Sequence, residues 1–470
     1  MTVFAPIAVA DLELSEPLVL RPDPPAIYSQ VRALVRLEGM PVGQVSLQLA
    51  DRTPSTLADS VWAQLGPQIS AAAARQGHAQ PSILTAEGLV SATEPPPPPG
   101  PPPATEPGVG SRTGRPSLAG RGQSRADGSG DAPRTRPGFG DVAVVIATRN
   151  RTAILQRCLT TIATQSVSPS QIIVVDNAPI DESTRELLTG PFGAAHGITY
   201  VREDRPGLGI AHNAALPHLR AEFAAFTDDD VLADQFWLEG LLDGFDTGTN
   251  VVCVTGMIVP AELETREQLW TEDYLGFTKG YEPRLFDLGQ NRPESPLYPF
   301  AAGVLGSGAN MAFRTSYLVR VGGFDDALGT GTMSRGGDDL AAFHEVIMNG
   351  HQLAYAPSAI IRHFHNKTYA SIKRQMSGYG VGLTAYLASA VARRPGSLLT
   401  ITRRAVGGVA HVVGPSSAKV QNLPTDYPSE LVWAERWGML IGPVSYARTR
   451  WERRGWRRPI SPPSRVAARR

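Results

Sequence analysis

A chain of 470 residues is long enough for a large buried core and for more than one folding unit. Its 44 Lys and Arg balance 44 Asp and Glu, and no basic stripe interleaved with aromatics crosses the central region, which excludes nucleic acid as a default partner. Two cysteines, Cys158 in a helical pattern and Cys253 in a Val-rich strand, read as small apolar fillers, so neither a disulfide nor a zinc site is expected. Met1 to Pro6 lack a basic segment followed by a long apolar stretch, and no run of about eighteen apolar residues occurs. A soluble, cytoplasmic protein is expected, and the wealth of Ala, Arg, Gly and Pro suggests a bacterial source.

Residues 1–91 read as a small α+β module. Pro17 to Leu20 and Val31 to Leu37 have strand character, Glu38 to Pro41 a turn, and Val45 to Leu49 alternates as a third strand. A helix is predicted over Ser55 to Ala74, with Leu57, Val61, Leu65 and Ile69 on one stripe and Gly66-Pro67 as a candidate break or kink. Nothing there resembles a catalytic constellation, so an accessory, docking or acceptor-positioning role is expected. Residues 92–138 are dominated by Pro, Gly, Ser and Arg, beginning with Pro95 to Pro99. Such a segment buries too little surface to offset its ordering entropy and reads as a disordered linker.

Residues 139–395 alternate apolar strands with amphipathic helices. Strands are predicted at Val142 to Ala147, Gln171 to Val175 and Ile198 to Val201, helices at Thr152 to Gln165, Asp181 to Thr189 and Ile210 to Leu219, and a further strand ends at Asp228. This rhythm implies an α/β fold with a mostly parallel sheet covered on both faces. Beyond Pro260 the pattern loosens, then recovers with a strand at Asn310 to Phe313, a helix from Asp339 to Asn349, and strands at Leu353 to Tyr355 and Ile360 to Ile361. Residues 396–470 read as a helical, basic tail.

Asp228, Asp229 and Asp230 follow the apolar run Phe223 to Thr227, at the carboxyl end of a buried strand, where open α/β sheets keep their ligands. Clustered carboxylates repel unless a cation or a set of donors holds them, and hard oxygen ligands suit Mg²⁺ or Mn²⁺; a solvated turn is the plain alternative. The first strand exits into Thr148-Arg149-Asn150-Arg151 and the second into Asp176-Asn177, polar ends where a nucleotide could lie. Pro206 to Asn213 is a glycine-containing turn opening onto a helix, a place that favours a pyrophosphate. It is no GxGxxG fingerprint, which argues against a dinucleotide-binding dehydrogenase. Far downstream Gly336-Gly337-Asp338-Asp339 opens a helix, where helix capping is the ordinary role of Asp. His363 and His365 close a later strand, and a strand-end His with an upstream acidic cluster makes a plausible set of metal ligands.

The order of these motifs resembles the family 2 glycosyltransferases of GT-A fold. The likeness covers roughly Asp141 to Ala390 and rests on Ala147 to Arg151, Val174 to Asn177, Gly209 to Asn213, Thr227 to Asp230, Gly336 to Asp339 and His363. It implies a metal-dependent, inverting transfer of a sugar from a nucleoside diphosphate donor, a UDP-sugar by default, to an acceptor hydroxyl on a glycan, a lipid-linked molecule or a small molecule. By the same resemblance Thr148, Arg149 and Asp176 contact base and ribose, and Asn150, Arg151, Gly209, Asn213, Asp228 and Asp229 belong to the nucleotide-sugar site. Asp228 and Asp230 form the Asp-x-Asp motif, with Asp230 the direct ligand of Mn²⁺ or Mg²⁺ and His363 a late metal or diphosphate contact, for which His365 competes. Asp339 matches the general base, and Asp338 stands where many relatives carry Glu, so the two acids share that assignment.

His212 replaces the Arg common in the helix-opening motif, a change expected to make that contact pH-sensitive. The Gln-x-x-Arg-Trp motif of processive synthases is absent after Gln375, which favours single or few-step transfer. Leu269-Trp270, Tyr274, Phe277 and Tyr281 lie where relatives build the acceptor side, or pack inward as an ordinary helix. Gly329 to Arg335 reads as a mobile lid. From Arg448 onward the chain is rich in arginine and carries Trp451 and Trp456, features suited to peripheral contact with an anionic membrane; a disordered, solubilising end is the plain alternative. Two rival readings are a catalytically inactive nucleotide-sugar or glycan binder and a nucleotidyltransferase; the late acids and His363 disfavour the first, and the lack of a Gly-rich loop with Lys after the first strand disfavours the second.

Overall fold

The computed structural model describes residues 4–50, 53–78, 82–91, 141–412, 423 and 426–454. The expected linker at 92–138 and the tail beyond Arg454, Trp456 included, lie outside the described residues. Strand β1 (Ile7–Glu13) pairs in parallel with β2 (Gln30–Leu37), and β2 pairs antiparallel with β3 (Met40–Gln48). Ala8, Ala10 and Leu12 alternate inward along β1, the two-residue period of a half-buried strand. Helix α1 (Pro54–Arg75) lays Leu57, Val61, Leu65 and Ile69 in the same core, its first turn capped by Thr53 Oγ1, which accepts from Thr56 N–H. The helix runs unbroken through Gly66-Pro67; burial of Leu65 and Ile69 on either side offsets the one hydrogen bond that Pro67 cannot make. A hairpin of β4 (Ser82–Thr85) and β5 (Gly88–Ser91) follows.

Two of the expected strands here differ. Pro17 to Leu20 forms no ladder; Leu18 N–H reaches Ala86 O at 3.0 Å and its side chain is buried. The ladder position belongs to β1, and β3 starts at Met40, inside the predicted turn.

The larger unit begins with β6 (Val142–Thr148), α2 (Thr152–Ile162), β7 (Gln171–Asn177), α3 (Ser183–Thr189), α4 (Pro191–Ala195), β8 (Ile198–Glu203), α5 (Leu208–Ala215) and β9 (Phe223–Asp228). It continues through β10 (Val231–Ala233), α6 (Trp237–Phe245), β11 (Val251–Pro260), α7 (Arg266–Leu275), β12 (Arg284–Phe286), β13 (Asn310–Arg314), α8 (Thr315–Val321), α9 (Asp338–Met348) and β14 (Gln352–His363). Helices α10 (Tyr369–Arg393), α11 (Ser397–Val412) and α12 (Ser429–Glu452) close the described chain. The strands form one sheet in the order β10-β14-β11-β13-β9-β6-β7-β8, with β12 on β14. Two parallel runs, β9-β6-β7-β8 and β11-β14, are joined by the antiparallel β13. Apolar side chains fill both faces, one centred on Val145, Phe226 and Phe313, the other on Val144, Leu159 and Trp237.

β14 is a single strand where two short ones were predicted. Pro357 cannot donate to a ladder, and the pairing with β11 shifts register between Gly256 and Met257. Buried Asn310 stitches this irregularity. Its amide Nδ2 donates to Met257 O (2.9 Å) and Ala359 O (2.8 Å), and its Oδ1 accepts from Trp237 Nε1 at 2.8 Å. Gly256 is required there, because a Cβ would stand 2.3 Å from Ala359 O.

The N-terminal sheet sits against the far end of β14. Arg36 donates to Asp234 (2.7 Å) and Asp11 (3.2 Å), Arg362 to the other oxygen of Asp11, and Ile7 N–H to Leu263 O at 2.9 Å. Asp234 ends the segment that follows β10, and Arg362 precedes His363. Helices α10 and α12 cross in backbone contact: a Cβ on Gly380 would lie 1.9 Å from Glu435 O, and one on Gly438 2.3 Å from Ser377 O.

Replacing Arg36 by Met leaves Asp234 without its cation and Asp11 with Arg362 alone, and is expected to cost about 3–5 kcal/mol. The check is the urea midpoint, and an unchanged midpoint would show that the junction contributes nothing.

Candidate active site

Parallel pairing brings the carboxyl ends of β6 to β9 to one edge, with Ala147 opposite Asp228, Thr148 opposite Asp176 and Asp176 opposite Arg202. β10 then returns along β14 with Val231 opposite His363. The residue before Val231 therefore meets the histidine: His363 Nε2 lies 3.3 Å from Asp230 and 3.9 Å from Asp228. One ligand atom from each of Asp228, Asp230 and His363 falls within 4.8 Å of the others. Two carboxylate oxygens and an imidazole nitrogen suit Mn²⁺ or Mg²⁺ as a donor set.

Asp229 is turned to a different task. Buried, it accepts from Thr148 Oγ1 at 2.7 Å and from Arg151 Nη1 at 2.9 Å, and the same Nη1 reaches Asp230 at 2.8 Å. Burial raises the Asp230 carboxyl, but His363 and Arg151 outweigh it and hold the group below the usual carboxylate range. Burial, then Asp230, raise Asp228. His363 loses by burial but gains more from Asp230 and Asp228, so its proton is held above the ordinary imidazole value.

Asp338 and Asp339 open α9 side by side but face different surroundings. Asp339 is partly exposed and accepts from Gly308 N–H at 2.9 Å and from Leu340 N–H at 2.8 Å. Asp338 is buried; burial and the neighbouring Asp339 push it up to about 8. Gly308, which holds Asp339, lies two residues before Asn310, the partner of Thr227 beside Asp228, so the two acidic motifs sit at the same end of β9 and β13; burial and then the charges of Asp339, Asp228 and Asp230 raise the Tyr379 hydroxyl of α10. Lys279 acts on Asp339 as well. Neither Tyr379 nor Lys279 was read from the sequence; α10 shows a helical period, but nothing in its composition marks a site.

The other sequence candidates divide. Asp176 is buried, takes a hydrogen bond from Tyr200 at 3.1 Å and keeps Oδ1 without a protein partner. Arg149 is exposed, and Asn150, in the left-handed region at φ 56°, accepts from Ile180 N–H at 3.0 Å. Asn213 spends its amide on the Phe324 backbone, at 2.9 and 2.8 Å, and a Cβ on Gly209 would meet Asp325 O at 2.8 Å. Both therefore serve packing. The α5 N-terminus is likewise engaged, with Gly207 N–H on Asn177 Oδ1 and Leu208 N–H on Thr330 O. Gly329 to Arg335, the segment read as a lid, meets the α5 N-terminus through Thr330 O and closes on itself through Gly329 N–H to Gly336 O at 3.1 Å.

His212 points into the core between Phe226 and Phe324, 3.8 Å from Asp338, and burial pushes its pKa down to about 3. It stays neutral at working pH, which removes the expected pH-sensitive phosphate contact. His365 bonds Glu272 at 2.9 Å and stands outside the acid-histidine trio. Tyr274 stacks on Tyr427 and bonds Glu435, as an ordinary inward aromatic, while Phe277 stacks on His365 and His363.

Residues 143–315 match the profile described as Glycosyl transferase family 2. The matched segment is a family 2 glycosyltransferase domain. A pre-mycofactocin glycosyltransferase of Mycobacterium tuberculosis is 28% identical over 235 residues, which is 50% of this chain and 44% of that protein. A glucosyl-dolichyl phosphate glucuronosyltransferase of Haloferax volcanii is 22% identical over 47% of this chain and 68% of its own length. Among solved structures, a mannosyltransferase of Pyrobaculum calidifontis in complex with GDP-Man and Mn²⁺ is 18% identical, with a TM-score of 0.41 over 67% of this chain and 88% of that one. The sheet is mostly parallel, is covered on both faces and ends β9 in the Asp-x-Asp, as the motifs implied.

Mn²⁺ titration followed by electron paramagnetic resonance should register a loss of at least about tenfold in affinity for Asp230→Asn or His363→Ala, with a loss of about tenfold for Thr148→Val through the reoriented Asp229 and Arg151. Equal affinity in all three variants would place the ion elsewhere. The unfolded chain protonates His212 near 6.5 and His344 likewise, whereas the folded chain waits until about 3 and about 4. The unfolded state thus binds more protons in that window, and these groups withdraw stability as pH falls through it, by up to about 1.4 kcal/mol per pH unit each. Raised acids such as Asp338 act in the opposite direction, so the reading is a difference: His212→Asn should flatten the acid slope of the unfolding free energy between pH 6.5 and 4, and an identical slope would contradict the buried neutral imidazole.

Proposed function

We propose that this chain transfers a sugar, with inversion, from a nucleoside diphosphate donor to an acceptor hydroxyl, in a reaction that requires Mn²⁺ or Mg²⁺. The observation that carries the reading is the trio of Asp228, Asp230 and His363 with Asp339 held on Gly308, two residues before the Asn310 that pairs with Thr227 beside Asp228. Asp228, Asp230 and His363 would hold the ion, whose chemistry there is that of a Lewis acid toward the departing diphosphate. Thr148 and Arg151 fix Asp229 and with it the aim of Asp230.

Asp339 acts as general base. It is the partly open acid of its pair, and its two N–H donors orient it without enclosing it. Asp338, pushed up to about 8, carries a proton at neutral pH and lends no second negative charge. On the donor side Asp176 offers its unpartnered oxygen and Arg149 and Asn150 their exposed ends, while Gly209 and Asn213 support that wall from behind. A UDP-sugar is the default donor, with GDP and dTDP as the alternatives. A lipid-linked acceptor is favoured over a free glycan or a small molecule, in keeping with the dolichyl phosphate in the name of the archaeal relative. Transfer is single or few-step.

We divide the chain into an accessory module at 1–91, a linker at 92–138, a catalytic domain at 139–395 and a helical, basic segment at 396–470. Among the described residues no helix is long and apolar enough to cross a membrane. We place the chain in the cytoplasm, peripheral at the inner face of the cell membrane.

The test begins with nucleotide sugars screened by thermal shift with Mn²⁺, since a donor that binds only the folded form raises its midpoint. With the donor found, Asp339→Asn should retain that shift and lower transfer by about 10²–10⁴-fold. Full turnover in the variant would remove Asp339 from the reaction, and no shift with any nucleotide sugar would remove the donor class.

A further inference from the structure

We infer that the outer face of α12 is a docking surface for anionic phospholipid. The inference rests on the peripheral placement proposed above and assigns the contact to a particular surface. Trp433, Trp437, Leu440, Val444 and Trp451 recur at the four-, seven-, eleven- and eighteen-residue spacing of one helical face, and each is more than half exposed. Ile441, about half exposed, widens the stripe. The other face of the helix carries Leu431, Glu435, Gly438, Gly442, Tyr446 and Thr449, all buried. Tyr446 bonds Asp325, and the glycines bring the α12 backbone against α10. One side of the helix is therefore fixed to the protein while the opposite side leaves a large apolar row in water, which single scattered exposed residues do not do.

The charges around the row select the occupant. Arg436 lies over the Trp433 ring at 5.3 Å, and Arg448 and Arg454 are exposed beside the row. Of the nearby acids Glu430 is already engaged by Lys373 and Tyr369, and Glu452 by Arg448. From Arg454 to Arg470 the sequence adds six arginines and no acid. Tryptophans and aliphatics in a line, bordered by arginine, form the pattern of a helix lying in the plane of a lipid interface, with the rings at headgroup depth and the guanidinium groups on phosphate.

The experiment is cosedimentation of the full chain with vesicles of phosphatidylcholine alone and of phosphatidylcholine with one-quarter phosphatidylglycerol, for the wild type and for the triple variant Trp433→Ser, Trp437→Ser, Val444→Ser. These side chains face solvent, so the thermal midpoint should not move, and donor-induced stabilisation should stay intact. The expected result is binding to the anionic vesicles that falls at least about tenfold in the variant, with a blue shift of tryptophan emission on binding only in the wild type. Equal pelleting of both proteins would overturn the inference while sparing peripheral placement by the basic segment. No pelleting of the wild type would overturn both, and neither result touches the transferase reading. Light scattering that finds a lipid-free dimer dissolved by the same substitutions would assign the face to a second copy of the chain and overturn the inference as well.

Discussion

Like charges held together in a poorly solvated place govern this fold. Two carboxylates about 4 Å apart repel by about 4 kcal/mol at an effective dielectric near 20, and the end of β9 presents three in a row. The protein answers by dividing them. Asp229 turns to Thr148 and Arg151 and is neutralised within the wall of the site, which leaves Asp228 and Asp230 to converge on His363. The same economy operates at α9, where Asp338 keeps a proton and Asp339 remains the open carboxylate. The sheet register makes this division possible, since Val231 opposite His363 is what brings the two halves of the trio together.

That register was only partly legible in the amino acids. The alternation of β6 to β9 with helices is a strong periodic signal, and the acids at the strand ends were readable as a site because runs of Asp after buried apolar residues are costly without a purpose. The β14 strand was not readable as one element, because Pro357 breaks the ladder pattern and the compensation comes from Asn310, which lies far away in sequence. His212 illustrates the opposite failure. Its place in a motif suggested phosphate, but the helix phase turns it toward Phe226 and Phe324, a fact that depends on packing across the sheet. Tyr379 was invisible for a third reason: nothing local distinguishes it from any other aromatic in a long helix.

The N-terminal sheet gains significance from where it touches. Of its ion contacts with the larger unit, one joins Arg32 to Asp273, and two fall on Asp234, just after β10, and Arg362, next to the last residue of β14. These strands carry Asp230 and His363 at their adjoining ends. Residues with no chemistry of their own thereby tie down both strands beside the pair that the site needs at short separation.

The glycines between α10 and α12 have a mechanical meaning. Side chains can rotate and absorb a push, but Gly380 and Gly438 leave main chain resting on main chain. Along α10, Gly382 abuts Gly337, the residue from which α9 starts. An unbroken line of main-chain contacts thus runs from the tryptophan-bearing helix through α10 to the turn that presents Asp338 and Asp339, with no side-chain layer between them.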